Sequence, residues 1–346
     1  MRQAVLLGSP GTKRTRYLEE GAKKEGVELA FWDWDTFGLK SGLPPELCNQ
    51  TLLLKIDPPV WDSCFLEELG SLTKNYEKQL IELAELGEEE EIAFLNHPLA
   101  ISRLLDKRDC KAQLCKAGLP VTEALREHVK SGEELLYEMS RLHMAQVFVK
   151  PVTGSGAAGI GAFRFQKSTG HMVLYTCGYQ DEKTGCLVNT KRLRRFTDPK
   201  EILSYLDSLL ALDCIVERWY VKAEHRGYSY DLRAVVQDAR VDFILPRFSK
   251  GPITNLHLNN HPGDIKELGF SAKLYEETEE LCVKAAGCFQ GLRTVGIDIL
   301  LERGSLRPRI IEMNGQGDLI YQDIYKDNGI YRHQAVMMKE WLYGKE

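Results

Sequence analysis

Apolar segments alternate with charged helical segments along about the first 95 residues of the chain. Short apolar runs bounded by polar residues indicate buried strands, and three of them are QAVLLGS, ELAFWDW and TLLLKIDPP. Charged helices are predicted over residues 12–25 and 74–94. Strands that alternate with helices favour a small parallel sheet, so we predict an N-terminal α/β domain over residues 1–97.

Strands predominate in the sequence beyond residue 145. The predicted strands are 145–150, 161–166, 172–177, 214–219, 229–237 and 240–247. The predicted helices are 199–211, 271–291 and 330–343. We therefore predict a second domain over residues 98–346, which begins with a helix that Pro98 can start at its first turn.

The composition is that of an ordinary globular protein, with 346 residues, 43% of them hydrophobic and 27% charged. The net charge of −5 argues against a general nucleic-acid binder. The apolar runs fall short of the roughly 20 residues that span a bilayer, so we expect no membrane association. Nine cysteines without a Cys-x-x-Cys pair, and an N-terminal apolar run too short for a signal peptide, favour a cytoplasmic protein with reduced thiols.

Three polar residues stand out in the C-terminal run TVGIDILLERGSLRPRIIEMNGQGD, which predicts two apolar strands joined by a turn. Asp298 lies inside the first strand, and Glu312 and Asn314 end the second on one shared face. If Asp298 lies on that face too, three oxygen ligands converge as Mg²⁺ requires. That geometry needs an odd-length turn or a compensating bulge, because opposite residues must share a face. The alternative is that these residues only end strands and form a turn.

The segment VFVKPVTGSGAAGIGAFRF predicts a strand ending at Lys150, a loop rich in glycine and alanine, and a second strand. Small residues let backbone N–H groups surround phosphate oxygens, and the lysine adds a positive charge. The segment is neither a P-loop nor a dinucleotide fingerprint, because no Gly-Lys-Ser/Thr closes the loop and β-type sequence follows it. A phosphate-binding loop and a simple flexible turn both fit it.

The segment IVERWYVKAE predicts a strand that runs into Glu217 and Tyr220. Such a linker could present backbone groups to the edge of an adenine, with Glu224 accepting hydrogen bonds from ribose hydroxyls. An ordinary amphipathic strand with an exposed end fits the segment equally well.

The segment YSYDLRAVVQDARVDFILPRFSK predicts a hairpin that turns at Asp238-Ala239. Asp231 and Arg233 share a face, and Arg247 is close to in phase with them on the returning strand. Arginines in apolar strands are costly unless they meet anions. A buried Asp231–Arg233 pair would explain part of this, whereas Arg247 followed by Asn255 favours a phosphate or carboxylate site.

A basic cluster precedes the predicted helix at 199–211. Its members are Lys191, Arg192, Arg194 and Arg195. A solvated loop and a clamp for an acidic substrate both fit the cluster.

Taken in order, these motifs resemble the ATP-grasp superfamily, most closely the branch that contains the ribosomal-protein glutamate ligases. The likeness covers about residues 96–320. It implies an α/β (α+β) fold, in which a small parallel-sheet pre-ATP-grasp domain precedes two subdomains whose antiparallel sheets clamp ATP. The lid subdomain would span about residues 120–218, and the C-terminal subdomain about residues 219–346.

The resemblance implies roles for individual residues. NHPLAISRLLDK is similar to the family's Asn-x-Pro-x-Ala…Asp-Lys helix, whose lysine contacts ATP phosphates. The implied nucleotide contacts are Lys107, Lys150, Ser155, Gly156, Ala157, Glu217, Tyr220, Val221 and Glu224. YDLR and RFSKGPITNLH resemble the family's Asp-x-Arg and Arg…Asn-Leu-His segments, and they imply the catalytic residues Arg233, Arg247 and Asn255. GIDIL…IIEMN resembles the Gly-Val-Asp…Glu-Val-Asn metal motif, and it implies the ligands Asp298, Glu312 and Asn314.

Three segments depart from the family pattern. The small residue, proline and glycine that usually follow the final asparagine are Gly315-Gln316-Gly317 here. The glycine-rich loop is also about two residues longer, and the hinge has an extra residue around Arg218. These departures concern the acceptor pocket rather than the implied ATP and metal residues.

The resemblance implies an ADP-forming ligase that joins a carboxylate to an amine through an acyl phosphate. It would use ATP and Mg²⁺, with Mn²⁺ as an alternative ion. A kinase of the same fold and a non-catalytic ATP-binding regulator are the alternatives. The substrates could be small molecules or peptides, and a homo-oligomer stays open.

Overall fold

Three β-sheets organise the computed structural model, which describes residues 1–37, 42–126, 128–154, 156–258, 260–316 and 327–344. The first sheet is parallel and contains β1 (Arg2–Gly8), β2 (Leu29–Asp33), β3 (Thr51–Ile56) and β4 (Ala93–Phe94). The strands lie in the order β2-β1-β3-β4. The parallel sheet predicted for the N-terminal segment is therefore confirmed.

Helices cover both faces of the first sheet, which explains why β1 is a continuous apolar run. These helices are α1 (Lys13–Glu25), α2 (Trp34–Phe37), α3 (Leu66–Glu89) and α9 (Gly329–Tyr343). Val5 and Leu7 of β1 lie in the core that α3 completes, whereas Ala4 and Leu6 lie in the core formed with α1 and α9. The last helix of the chain thus packs on the first sheet.

The second sheet is antiparallel and has the strand order β8-β7-β6-β5-β9. Its strands are β5 (Gln146–Pro151), β6 (Gly161–Gln166), β7 (His171–Gln180), β8 (Leu187–Phe196) and β9 (Cys214–Arg218). Two helices, α6 (Gly132–Arg141) and α7 (Pro199–Leu210), pack on one face of it. The sequence patterns did not predict β8 or α6, and the basic cluster lies in the edge strand β8 rather than in a loop.

The third sheet is antiparallel, with the order β13-β12-β11-β14-β15 and β10 paired to β11. Its strands are β10 (Glu224–His225), β11 (Tyr228–Gln237), β12 (Arg240–Ser249), β13 (His261–Pro262), β14 (Thr294–Leu301) and β15 (Pro308–Asn314). The hairpin between β11 and β12 turns at Asp238-Ala239, as predicted, and both turn residues have positive φ. Helix α8 (Ala272–Gly287) packs on the apolar face of this sheet.

Two short helices connect the first sheet to the other two. They are α4 (Pro98–Leu105) and α5 (Lys107–Lys116). Pro98 begins α4 as predicted, and Asp106 caps α5 by accepting hydrogen bonds from two backbone N–H groups in its first turn. None of the helices in the described part of the chain combines the length and apolar character that crossing a membrane requires.

Candidate nucleotide and metal site

The face of the third sheet that is turned away from α8 carries the three predicted metal ligands and two of the three predicted catalytic residues. Leu232 and Ala234 of β11 pack in the core with α8, so Asp231 and Arg233 point to the opposite face. The strand register extends that face across four strands, because Asp231 pairs with Arg247, Arg233 with Asp298, and Asp298 with Glu312. The residues on this charged face are Asp231, Arg233, Arg247, Asp298, Glu312 and Asn314.

A bulge in the β14–β15 pair brings Asp298 opposite Glu312. The turn has an even length, because the N–H of Glu302 donates to the carbonyl of Arg307 at 3.1 Å and leaves residues 303–306 as the loop. The register shifts between Asp298 and Ile299, and Ile311 is left without a partner in the ladder. Of the two predicted ways to align the acidic residues, the compensating bulge is the one present.

The carboxylate of Asp298 is buried but incompletely satisfied. Arg233 Nε lies 2.5 Å from its Oδ1 and Arg247 Nη2 lies 3.1 Å from its Oδ2. The first contact is an ion pair without hydrogen-bond alignment, and Oδ1 accepts no hydrogen bond from the described residues. Burial raises the pKa of Asp298 in spite of the two arginines, and the Glu312 carboxylate adds to the rise. A buried carboxylate oxygen with spare acceptor capacity fits a cation ligand.

The donor set formed by Asp298, Glu312 and Asn314 fits Mg²⁺ better than a tightly held structural metal. No group of three or more His, Cys, Asp or Glu side chains among the described residues is arranged to hold a metal. Mg²⁺ commonly takes one or two carboxylates and completes its shell with waters and phosphate oxygens. The residues present therefore fit an ion that binds together with a phosphate ligand.

Asp231 forms the centre of a fully satisfied cluster on the same face. Arg247 donates to both of its oxygens, with Nε 2.8 Å from Oδ1 and Nη2 2.9 Å from Oδ2. Lys222 Nζ lies 3.2 Å from Oδ2, and the Thr254 hydroxyl donates to the same oxygen. Burial opposes ionisation, but Arg247 and Lys222 outweigh it and lower the pKa of Asp231. The predicted buried pair of Asp231 with Arg233 is wrong, because each residue pairs across the sheet with a neighbouring strand.

Helix α5 places two lysines next to the charged face. Lys107 Nζ donates to the carbonyl of Gly154 at 2.7 Å, and so ties α5 to the glycine-rich loop. Lys111, one turn later on the same side of the helix, donates to Thr122 Oγ1 at 2.7 Å. Burial lowers the pKa of both lysines. Burial opposes ionisation of Glu312, but Lys107, Lys150, Arg233 and Arg247 together outweigh it and lower the pKa of that carboxyl. Lys107 and Glu312 also line the same cavity.

Glu217 is the anchor of a second satisfied cluster rather than a free carboxylate at the hinge. Lys150 Nζ lies 2.9 Å from its Oε2, Lys111 Nζ lies 3.3 Å from its Oε1, and Thr122 donates to Oε2 at 2.7 Å. Burial opposes ionisation, but Lys111 and Lys150 outweigh it and lower the pKa of Glu217 to about 2. The carboxylate therefore positions Lys150, whose ammonium lines the cavity described below.

The backbone of the glycine-rich loop after Lys150 has positive φ at four of its described residues. Gly154, Gly156, Ala157 and Gly159 all have positive φ. A Cβ at Gly159 would come within 2.9 Å of Leu66 Cδ1 and within 2.8 Å of Pro151 Cγ, so this position requires glycine. Gly154 and Gly156 line a cavity, Ala157 is buried, and Ser155 lies outside the described residues.

The remaining hinge residues differ in how they meet the cavities. Tyr220 lines a cavity, and the guanidinium of Arg309 lies 4.3 Å from its ring centroid. Val221 and Glu224 line neither cavity: the carbonyl of Val221 accepts from the N–H of Arg303, and Glu224 pairs with the Arg303 side chain. The nucleotide contacts implied for these residues stay predictions.

Two cavities meet at the charged face. The larger has a volume of about 390 Å³ and runs from Lys107, Arg233 and Asn314 towards the first sheet. The smaller, of about 60 Å³, is lined by Lys150 and Glu217 together with further charged and apolar residues. Arg247, Asn255 and Glu312 line both cavities and so lie where the two join. Of the other predicted catalytic and metal residues, Arg233 and Asn314 line the larger cavity and Asp298 lines the smaller.

Several residues of the site were not predicted from the sequence. Lys111 and Lys222 could have been predicted, because each is a lysine within a segment that the sequence analysis singled out for other residues. Asn96 had one too, since it begins the NHP motif; its side chain donates to the carbonyl of Gly315 at 2.6 Å and fixes the backbone after Asn314. Thr122 and Thr254 had no signal, because a lone threonine in a loop is unremarkable without its partner.

The chain has the ATP-grasp fold, as the resemblance predicted. It is similar to the ATP-grasp ligase PsnB complexed with minimal precursor, with a TM-score of 0.61 and 17% identity over 97% of this chain and 99% of that one. D-cycloserine synthetase DcsG gives a TM-score of 0.61 at 12% identity, over 97% of this chain and 99% of that one. Macrocyclase MdnC bound with precursor peptide MdnA from Microcystis aeruginosa MRC gives 0.60 at 13% identity, over 98% and 100%.

No protein-family model matches the sequence, and no curated protein matches it either. Identities this low show the fold alone. The narrower likeness to the ribosomal-protein glutamate ligases stays a prediction.

Proposed function

We propose that the protein is an ATP-dependent ligase that joins a carboxylate to an amine and releases ADP and phosphate. The observation that carries the proposal is the junction of the two cavities, where two arginines, two lysines and three oxygen ligands surround one space. The smaller cavity would take the nucleoside and the larger one the other substrates. A structure of PsnB complexed with a precursor peptide and AMPPNP supports a site that takes a nucleotide and a second substrate together.

The chemistry needs positive charge around a transferring phosphoryl group. A substrate carboxylate oxygen would attack the γ-phosphorus of ATP, and the bond to the ADP oxygen would break. An amine would then attack the carbonyl carbon of the acyl phosphate, lose a proton, and expel phosphate. Lys107 and Lys150 would neutralise the phosphate oxygens, while Arg233 and Arg247 would hold the carboxylate and the phosphoryl group in line.

Asp298, Glu312 and Asn314 would hold the Mg²⁺ ion, which supplies further neutralisation of the phosphate oxygens when it is bound. A structure of PsnB complexed with Mg and ADP supports this pairing of ion and nucleotide. Arg233 and Arg247 hold Asp298 in place, and its Oδ1, which accepts no hydrogen bond from the described residues, would be available to that ion.

The glycine-rich loop would act as the lid of the site. The smaller cavity, about 60 Å³, is far below the roughly 300–1,000 Å³ of ordinary ligand pockets. Nucleotide binding therefore requires the loop to move, and the bond from Lys107 to Gly154 is one contact it would release. A closed lid would exclude water, which would otherwise hydrolyse the acyl phosphate.

The neighbouring structures favour a peptide as one substrate. PsnB and MdnC are described with precursor peptides, whereas DcsG is a D-cycloserine synthetase. A peptide or an amino acid would supply both functional groups that the reaction consumes.

The test is ADP release with pooled carboxylates and amines, followed by mass spectrometry of the products. Lys150→Met should abolish nucleotide-dependent stabilisation, and Lys111→Met is the matched control. Both variants remove one lysine from Glu217, but only Lys150 lines the smaller cavity. Equal losses of nucleotide binding in the two variants would remove Lys150 from the phosphate site. A phosphorylated product without any requirement for an amine would show a kinase instead.

A further inference from the structure

The far end of the larger cavity carries two side chains that the proposed reaction does not use. Arg14, in the first turn of α1, and Gln316, two residues after Asn314, both line it. Arg14 is half-buried, and within the described parts of the chain its guanidinium has no hydrogen-bond or ion-pair partner. An unpaired guanidinium in a partly enclosed space is a candidate for binding an anion.

Tyr76 contacts Gln316 and lies within electrostatic range of Arg14. Its ring is fully buried, and its hydroxyl donates to Gln316 Oε1 at 2.8 Å. The Arg14 guanidinium acts on the same phenol, because it counteracts the rise that burial causes in the pKa of Tyr76. The side-chain oxygen of Gln316 accepts the hydrogen bond from Tyr76. Both N–H donors of its NH₂ group can therefore bind a ligand in the cavity.

Asp57, whose charge acts on the same phenol, forms its ion pair with Lys55 rather than with Arg14. Among the described residues no acid forms an ion pair with Arg14, so its guanidinium is available to an anion in the cavity.

The wall between this end and the charged face is apolar. Its residues include Trp61, Ile101, Leu104, Val235, Phe243 and Leu245. Arg233 and Arg247 line the opposite end of the same space. A molecule that fills this cavity thus meets arginine side chains at both ends and apolar side chains between them.

We propose that Arg14 and Gln316 form a second anion subsite, which binds a non-reacting carboxylate of the substrate. The inference rests on the proposed function, because it takes Arg233 and Arg247 as the reacting end. The substrate class is then an acid that spans the cavity with a second carboxylate, such as an acidic amino acid or a peptide with an acidic side chain. Tyr76 is a positioning residue that fixes the amide of Gln316. The glutamine accounts for the departure from the family's proline at this position.

The experiment uses linear dicarboxylates from succinate to sebacate, each paired with the monocarboxylate of equal length. Calorimetric titrations are made on the full chain, with and without ADP and Mg²⁺. At the best length, the dicarboxylate should bind roughly tenfold or more tightly than its monocarboxylate, the size expected of a charge-assisted contact. Arg14→Gln should abolish that advantage. Arg16→Gln, an exposed arginine on the same helix, should retain it.

The positioning role has its own readout. Tyr76→Phe should reduce the dicarboxylate advantage several-fold and leave monocarboxylate and ADP binding unchanged, which a general loss of structure would not do. Gln316→Leu should act in the same direction without disturbing the core around residue 76. Melting temperatures report whether each variant is folded.

A dicarboxylate advantage that is absent at every length, or that survives Arg14→Gln, would overturn the subsite. Failure of the wild-type protein to bind ADP would count against the proposed function alone. The titrations without nucleotide still decide the subsite in that case.

Discussion

Asp231 and Asp298 lie on the same face of the same sheet, but their carboxylates differ in how completely they are hydrogen-bonded. This difference indicates which aspartate stabilises the fold and which is available to a ligand. Their exposed fractions are 2% and 4%, so burial does not distinguish them. Asp231 receives hydrogen bonds on both oxygens, and its pKa is lowered because Arg247 and Lys222 outweigh its burial. Asp298 keeps one oxygen without a hydrogen bond from the described residues, and burial raises its pKa.

Glu217 resembles Asp231 rather than Asp298. Two lysines and a threonine satisfy its carboxylate. Buried acids whose partners are complete hold the fold together, whereas a buried acid with spare acceptor capacity is available to a ligand. The contrast yields four expected results, ordered by their effect on the free energy of unfolding.

Asp231→Asn should have the largest effect, a loss of about 3–5 kcal/mol. The substitution leaves Arg247 and Lys222 buried without their shared anion. The measurement is the free energy of unfolding in urea, with the exposed Asp62→Asn as the control for a change of carboxylate to amide. A loss no larger than that of the control would show that the cluster is not structural.

Acid should weaken the wild-type protein more than a Glu217→Gln variant. The pKa of Glu217 is lowered from 4.5 to about 2 in the folded state, so its stabilisation is complete above pH 4.5 and falls away as the pH drops towards 2. Between pH 6 and pH 3 the wild-type protein should lose about 2 kcal/mol more than the variant. Parallel urea titrations at the two pH values measure this difference. Equal losses would mean that Glu217 is not held ionised by its lysines.

Thr254→Val should cost about 1.5 kcal/mol, since it removes a hydroxyl that donates to Asp231 and accepts from Lys222 at 2.7 Å. Thr254→Ser is the matched control, because it keeps the hydroxyl and should retain most of the stability. Urea unfolding provides the comparison. Similar losses in both variants would assign the effect to packing of the methyl group.

Asp298→Asn should change the free energy of unfolding by less than about 1 kcal/mol, because the fold already disfavours the charge at this position. The same variant should lose the Mg²⁺-dependent part of the rise in melting temperature that ADP produces. Thermal unfolding with ADP, in Mg²⁺ and in chelator, measures both quantities. A stability loss as large as that of Asp231→Asn, or an intact response to Mg²⁺, would contradict the assignment of Asp231 to the fold and of Asp298 to a cation.

Much of the local structure could be predicted from the sequence. The two strands of the β11–β12 hairpin, the helix start at Pro98 and the turn at Asp238-Ala239 could all be predicted. The motifs could be recognised because each lies within about 20 neighbouring residues, and their order along the chain predicted the fold. The edge strand β8 was not predicted, because its exposed run of basic residues lacks an apolar face.

The partners of the buried charges could not be predicted in the same way. Arg233 pairs with Asp298 and Arg247 with Asp231 because of strand register, and register depends on every strand of the sheet. The bulge at Ile311 decides whether Asp298 faces Glu312, and no residue type marks it. The resemblance predicts that Glu217 lies at the base of the hinge. Its carboxylate forms ion pairs with Lys111 and Lys150, which belong to other segments of the chain.

The sequence by itself determined the elements, the class of fold and the identity of the charged residues, because hydrophobic periodicity and motif spacing are local properties. Only the tertiary structure decided which of those charges are satisfied. The energy of a buried charge depends on the distance and alignment of groups far apart in the chain, and these follow from register and packing. The sequence predicted an ion pair for Asp231 and a metal site for Asp298. Only their surroundings in the fold show that both oxygens of Asp231 accept hydrogen bonds, whereas Oδ1 of Asp298 accepts none from the described residues.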